Sequence, residues 1–322
     1  SIYGTLSSNG TSVSAGAGSL RTIWGAQLVK GDQPKDYLKT TDRLDIPRID
    51  YTNGEPSILL EPSRTNLFEY DIDFSQSAWS KGNVTLQSNI AISHEGIQNA
   101  SNIYPTNNVA YLYNTTTASS SVYTVSAYVK ANGKNVAWLY SNSSASNGTI
   151  YFDLSDDSMQ VVAGSVGTPT GTINKLPNGW YRLTYTTGTS ISLTGGSGVG
   201  VSDAKGSFNA TQNGTDGILV YGLQIEAGSY ATSLIHTSGS AVTRSADAAN
   251  NAGNSDLISS TEGVLYAEIK SNQSSSNKFI SISDGTDDNR ITIIMLSTYN
   301  IAGQIRTSNS EVFWRESSLY NI

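Results

Sequence analysis

Short stretches of alternating apolar and polar residues, cut apart by turn-forming pairs, constrain this chain more than any other feature. Val122–Lys130, Asn135–Tyr140, Thr149–Leu154, Trp180–Tyr185 and Ile218–Glu226 are rich in Tyr, Val, Ile and Thr. Successive side chains on a strand point to opposite faces, so alternation lets one face bury while the other stays polar. The breaks include Asn132-Gly133, Asn147-Gly148, Asn178-Gly179 and Asn213-Gly214. Asn and Gly tolerate the positive φ that tight hairpins need. Helical periodicity is hard to find anywhere. The pattern predicts an all-β fold of tandem antiparallel β-sandwiches, jelly-roll in type, joined by extended linkers.

Composition narrows the function classes. Only 14% of the 322 residues are charged, against roughly 25% in ordinary globular chains, and Ser, Thr, Asn and Gly fill the gap. That surface does not suit a helical cytosolic enzyme. A net charge of -7 and a pI near 4.8 argue against nucleic acid as a partner. Without Cys there is neither a disulfide scaffold nor a thiolate metal site. No run of about 18 apolar residues occurs, so membrane insertion is not expected. Ser1, with no Met and no apolar leader, reads as a processed or fragmentary start.

An internal repeat organises the chain. Thr22–Gly31 aligns without gaps on Leu219–Gly228 at a constant offset of 197 residues, with Gly25/Gly222, Gln27/Gln224, Gly31/Gly228 and Thr40/Thr237 identical. Residues 1–43 then read as the closing strands of an incomplete jelly-roll. Residues 44–65 carry Pro47, Pro56 and Pro62 and read as a stiff, extended connector. Residues 66–244 form a complete jelly-roll, and 245–260, small and polar, a linker. Strand signals at Gly263–Ile269, Phe279–Ile282, Arg290–Ile294 and Asn300–Ile305 make residues 261–322 the start of a further sandwich. About 60 residues fall short of the ~100 such a domain needs.

Splitting the strands by alternation assigns Tyr123, Val125, Ala127, Val129, Leu139, Phe152, Leu154, Leu183, Leu219, Tyr221, Leu223 and Ile225 to the core. The opposite face collects Tyr128, Trp138, Tyr140, Tyr151, Arg182, Gln224 and Glu226. Sugars present C–H patches edged by hydroxyls, which suit aromatic planes flanked by hydrogen-bonding side chains. We therefore take Tyr128, Trp138, Tyr140, Tyr151, Arg182 and Gln224 as a candidate glycan-binding face centred on Trp138 and Tyr140. The plainer alternative is that these aromatics pack against cross-strand neighbours, a loop or another subunit. Trp79 and Trp180 read as core or corner residues.

Catalytic constellations are poor. His94 and His236 are the only histidines and read as ordinary surface residues, leaving a Ser–His–Asp triad little to draw on. Asp71 and Asp73 are expected to share a face on a strand, and Asp156-Asp157 reads as a turn; neither pair lies in an evident apolar cleft. Asp284, Asp287 and Asp288 are weak metal candidates with the carboxylate density of a calcium loop. Their segment lacks the full calcium-loop spacing, so a hairpin turn between Ile282 and Ile291 is the better reading, and no cofactor is expected beyond a structural calcium. Gly195–Gly200 lacks the flanking signals of a phosphate loop and reads as loop.

Pro47–Tyr51, Leu59–Leu67, Phe74–Trp79, Pro177–Arg182 and Tyr221–Gly228, taken as an ordered set, resemble a recurrent module of bacteriophage virion proteins. These are tail fibres, tailspikes and head fibres with jelly-roll domains similar to carbohydrate-binding modules. The resemblance covers roughly residues 20–245; residues 262–322 look more loosely like the opening strands of a concanavalin-A-like lectin domain. In the first repeat copy, Val29-Lys30 replaces the usual Glu-Ala. The resemblance implies a virion-surface, extracellular location, other virion proteins and host-surface polysaccharide or glycan as partners, and a homotrimer. The expected function is host attachment without covalent chemistry. Three alternatives are a purely structural or decoration module, a polysaccharide depolymerase whose catalytic part lies outside this chain, and a carbohydrate-binding module of a secreted bacterial enzyme.

Overall fold

The computed structural model describes residues 48–50, 55–142, 147–165, 167–249, 262–271, 277–297 and 300–317. The repeat copy at Thr22–Gly31, and with it all of residues 1–43, lies outside them. The chain divides into two compact units, one ending at Leu60 and the other beginning at Glu61. In the first, β1 (Arg48–Asp50) pairs antiparallel with β2 (Ser57–Leu59), with Ile49 opposite Ile58. The connector expected from the prolines is thus locally extended but folds back on itself.

The second unit opens with β3 (Arg64–Asn66), β4 (Trp79–Gly82), β5 (Val84–Ile92), β6 (Gln98–Pro105) and β7 (Ala110–Thr115). Then come β8 (Ala118–Ser121), β9 (Tyr123–Asn132), β10 (Val136–Tyr140), β11 (Thr149–Asp153) and β12 (Ser158–Val162). They are followed by β13 (Thr170–Lys175), β14 (Trp180–Thr186), β15 (Ile191–Leu193), β16 (Gly196–Ser202), β17 (Gly217–Ala227) and β18 (Val242–Arg244). Two six-stranded antiparallel sheets result: a front sheet ordered β12-β11-β10-β16-β7-β4 and a back sheet ordered β13-β14-β9-β17-β6-β5. They form a sandwich compatible with the jelly-roll arrangement, and the all-β expectation holds.

One core fills the space between the sheets. Ala110, Leu112, Ala137, Leu139, Ile150, Phe152, Val199 and Val201 come from the front sheet. Ile103, Val125, Ala127, Val129, Leu183, Ile218, Val220, Leu223 and Ile225 come from the back sheet. Fully burying each larger aliphatic or Phe side chain contributes about 1.5–3 kcal/mol, so this layer dominates the stability of the domain. The chain enters and leaves along one short ladder, β3 with β18, where Thr65 faces Thr243. Glu61 and Asp247 also exchange backbone and side-chain bonds there, so residues 61–65, grouped above with the connector, pack as part of this domain.

Two sequence expectations need correction. Gly195–Gly200, read as loop, supplies most of β16, a central strand of the front sheet. Its glycines project outward while Val199 and Val201 reach the core, so small residues here serve what lies over the strand. The second correction concerns parity along β17. Tyr221 pairs with Tyr128, but the next partner of β9, Ser126, meets Gln224, so β17 takes three steps against two. This β-bulge, with Gly222 at φ 58, moves every later residue to the other face. Ile218 and Val220 face the core before it, Leu223 and Ile225 after it. Leu219 and Tyr221, assigned above to the core, therefore sit on the outer face.

Residues 278–317 form a four-stranded meander of β19 (Lys278–Ser283), β20 (Arg290–Met295), β21 (Ile301–Thr307) and β22 (Ser310–Ser317). Gly263–Ile269, expected as a strand, has no ladder partner among the described residues. Ile291, Ile305 and Phe313 lie opposite one another on one face of the meander and remain 38–48% exposed. The acidic segment is the hairpin turn joining β19 to β20. Within it the Asp284 carboxylate accepts bonds from Thr286 and Asn289, and Arg290 pairs with Asp287 at 2.6 Å.

Candidate functional site

The candidate residues do not share one surface. Trp138, Tyr140 and Tyr151 lie on the outer face of the front sheet; Tyr128, Arg182 and Gln224 lie on the outer face of the back sheet. Alternation assigns a side chain to the inner or outer face of its own sheet, and both sheets of a sandwich have an outer face.

On the front sheet, cross-strand register builds two aromatic rows. Tyr151, Trp138, Gly200, Tyr111 and Gly82 stand side by side from β11 to β4, and Tyr140, Gly198, Tyr113 and Ser80 form the next row. The glycines let the rings lie down along the sheet. A Cβ on Gly200 would overlap the Trp138 indole, and one on Gly82 would come within 2.8 Å of the Tyr111 ring. The rings touch as a continuous patch: Tyr111 is centred 5.7 Å from Trp138 and 5.3 Å from Tyr113, and Trp138 is 5.3 Å from Tyr140. Contacts of this kind add about 0.5–1.5 kcal/mol beyond area burial.

Exposure within the patch differs from expectation. Trp138 and Tyr140, taken above as open stacking planes, are only 2% and 6% exposed. Phe208, from the segment between β16 and β17, stands edge-on to Trp138 at 4.8 Å and 5.5 Å from Tyr151. Tyr111, Tyr113 and Phe208 are half-buried and form the accessible part. Burial pushes the Tyr151 phenol up to about 12 and raises that of Tyr140 further, with a smaller addition there from Tyr111 and Tyr113 beside it. These phenols are neutral at physiological pH. The Trp138 Nε1–H is buried without a hydrogen-bond partner. A buried donor left unpaired costs roughly 1–3 kcal/mol.

The back sheet's outer face is built differently. Tyr128 is sandwiched between the stacked His94 ring, 3.8 Å away and tilted by 9°, and the Arg182 guanidinium at 5.4 Å. Over this layer runs the strap Thr232–Thr237. Glu226 accepts from the Thr232 N–H and hydroxyl, each at 2.8 Å, and lies 3.5 Å from Arg64. Gln224 donates to Glu226 and accepts from the Ile235 N–H at 2.7 Å. Glu61 accepts from the Ser233 N–H, and Asp71 from the Thr237 N–H. The strap is thus tied down through side-chain acceptors. Gln224, proposed above as a sugar contact, is fully buried and spends its amide on this strap.

The two histidines meet here, contrary to their reading as ordinary surface residues. His236 Nδ1 lies 2.8 Å from the buried Asp71 carboxylate, and its Nε2 lies 3.6 Å from Glu95. Glu95 also accepts from the Tyr221 hydroxyl at 2.7 Å. The hydrogen bond to Asp71 and the close Glu95 carboxylate raise His236 to about 10, and the proximity of His236 lowers Glu95 to about 2. Burial lowers His94. At neutral pH His236 is held charged between two carboxylates, and both His236 and Glu95 sit far from the pKa near 7 that suits a general acid or base. Asp71 and Asp73 share no strand: Asp73 is exposed and caps a turn through Ser75 and Gln76. Among the described residues, no three His, Asp or Glu side chains are grouped to hold a metal ion.

Nothing in sequence spacing joined Tyr111, Tyr113 and Phe208 to Trp138, and nothing joined Asp71 to His236. The alternation of Tyr111 and Tyr113 was the one signal available for the first group. Set against models of known protein families the chain matches none, and no curated protein matches it.

Proposed function

We propose that this chain is a section of a phage virion fibre that displays a glycan-binding sandwich for attachment to the host surface. The observation that carries the reading is the front-sheet patch, in which Tyr111 and Tyr113 offer half-open rings over a glycine-paved sheet. A pyranose lays its C–H face on such rings while its hydroxyls meet the tyrosine hydroxyls as donors and acceptors. Attachment is non-covalent. Each site is weak, and a homotrimer raises avidity by holding three sites at high effective concentration. Host-surface polysaccharide and other virion proteins are the partners in this reading, and the virion surface is the location.

The test is a bacterial-glycan array probed with the full chain. Tyr111→Ala combined with Tyr113→Ala should lose at least tenfold in binding to whatever polysaccharide the wild type retains, with Tm unchanged within a few degrees. Unaltered binding by the double variant removes this face from the proposal. A wild type that binds no glycan, with Tyr111 in a subunit contact by cross-linking, leaves a purely structural fibre module. New reducing ends released from the retained polysaccharide indicate a depolymerase instead.

A further inference from the structure

Between β16 and β17 the chain runs from Asp203 to Asp216 outside any strand and carries Phe208 across the aromatic patch. Its two parts are attached in different ways. The stem is wired into the domain: Ala210 is fully buried in the core, and Asp203 accepts from the Thr211 N–H at 2.7 Å and pairs with Lys134. The tip, residues 204–208, is held more lightly. The Val109 N–H donates to the Phe208 carbonyl at 3.1 Å, the Phe208 ring rests on Trp138, and Lys205 reaches Asp156 at 3.1 Å and Asp153 at 3.8 Å. Lys205 also bonds the Ser158 hydroxyl. Asp156 is exposed, so much of this fastening is screened by salt. Gly206, at φ 75, sits between Lys205 and Phe208 where the backbone can turn.

We infer that the tip is a lid over Trp138 that swings aside to admit ligand. The identity of the ligand as a glycan rests on the reading above; the motion does not. An independent observation points the same way. Trp79 donates its indole N–H to the Tyr70 carbonyl at 2.8 Å and Trp180 donates to Ile92 at 3.3 Å, whereas the equally buried Trp138 N–H has no acceptor. The Phe208 ring packs edge-on against this indole and carries no oxygen or nitrogen acceptor. A sugar hydroxyl in its place supplies one while the pyranose face replaces the aromatic contact. The favoured ligand is neutral, because the surface under the Phe208 ring is Trp138 and Tyr151. Binding then carries the cost of opening, and any change that loosens the tip tightens apparent affinity by the same factor.

The experiment follows indole N–H exchange in the full chain carrying ¹⁵N-labelled tryptophan. Trp138 should exchange at least tenfold faster than Trp79, hydrogen-bonded in the core, and Trp180, hydrogen-bonded on the outer face of the back sheet. Phe208→Ala and, separately, Lys205→Ala should each speed Trp138 at least threefold further and leave the other two unchanged. On the same glycan array, both variants should bind at least threefold more tightly than wild type. Equal exchange of all three indoles, unmoved by Lys205→Ala, would overturn the lid. Exchange as expected with no glycan bound by any form would uphold the lid and reject its ligand, which separates this inference from the reading on which its ligand rests.

Discussion

The two outer faces of one sandwich are closed by opposite chemistry. The front face is covered by rings lying on glycines and by a tip held through two aromatic contacts, one backbone hydrogen bond and the Lys205 ion pairs. The back face is covered by a strap whose amides are captured by Glu61, Asp71, Gln224 and Glu226. Apolar contact is non-directional and lets a cover slide or lift. Buried carboxylates meeting specific N–H groups are directional and costly to leave unpaired. The back face is thereby committed to fastening the chain as it enters and leaves the domain, and in the proposed reading the front face is the one left for a partner.

The comparison is broken most severely at Glu226. Glu226→Ala strands the Thr232 N–H and the Arg64 guanidinium, and removing one member of a buried pair costs about 3–5 kcal/mol. We expect a large fall in Tm and loss of hydrogen-exchange protection at Thr232 and Ile235, with the front face unchanged. Next in size is Gly200→Ala, which forces the Trp138 indole off the sheet. Overpacking of this kind costs about 1–3 kcal/mol, read as a lower denaturation midpoint in urea with slope unchanged.

A smaller effect separates the faces by pH. His236 is raised from 6.5 to about 10, so its contribution is complete below pH 6.5 and is lost as pH rises through 10. Glu95 is lowered from 4.5 to about 2, so its contribution is present above 4.5 and is lost as pH falls through 2. His236 is about half-exposed, so solvent screening keeps the effect modest. Tm should drift downward between pH 6.5 and 10 in the wild type and be flatter in His236→Gln; identical profiles would show that the clip adds nothing. Smallest of all, Asp287→Ala removes an exposed pair in the β19–β20 turn and should shift stability by less than about 1 kcal/mol.

Much of the fold was legible because strands announce themselves locally. Alternation found β9, β10, β11, β14 and β17, and it placed Val125, Leu139, Phe152 and Leu183 in the core. Legibility failed at glycines. Gly196–Gly200 read as loop because a glycine-rich strand is intrinsically weak, and only the rings of Tyr113 and Trp138 lying over it explain the choice. At Gly222 the signal was present, since a lone Gly within a strand is a bulge cue, but parity was carried straight through it. The site was less legible than the fold. Trp138 and Tyr140 were correctly placed outward from their sheet, yet Trp138 is covered by Phe208 and Tyr140 is packed by Tyr111, both remote in sequence. The strap depends on pairs such as Asp71 and His236, 165 residues apart.

By itself, then, the sequence determined strand existence, turn positions and the inner or outer sense of each side chain up to the first bulge. These follow from backbone geometry and short-range sterics, which neighbours in the chain already contain. Tertiary structure alone decided which sheet each outward residue belongs to and what lies over it. Those outcomes depend on contacts between distant segments, and no local pattern records which distant surface will arrive.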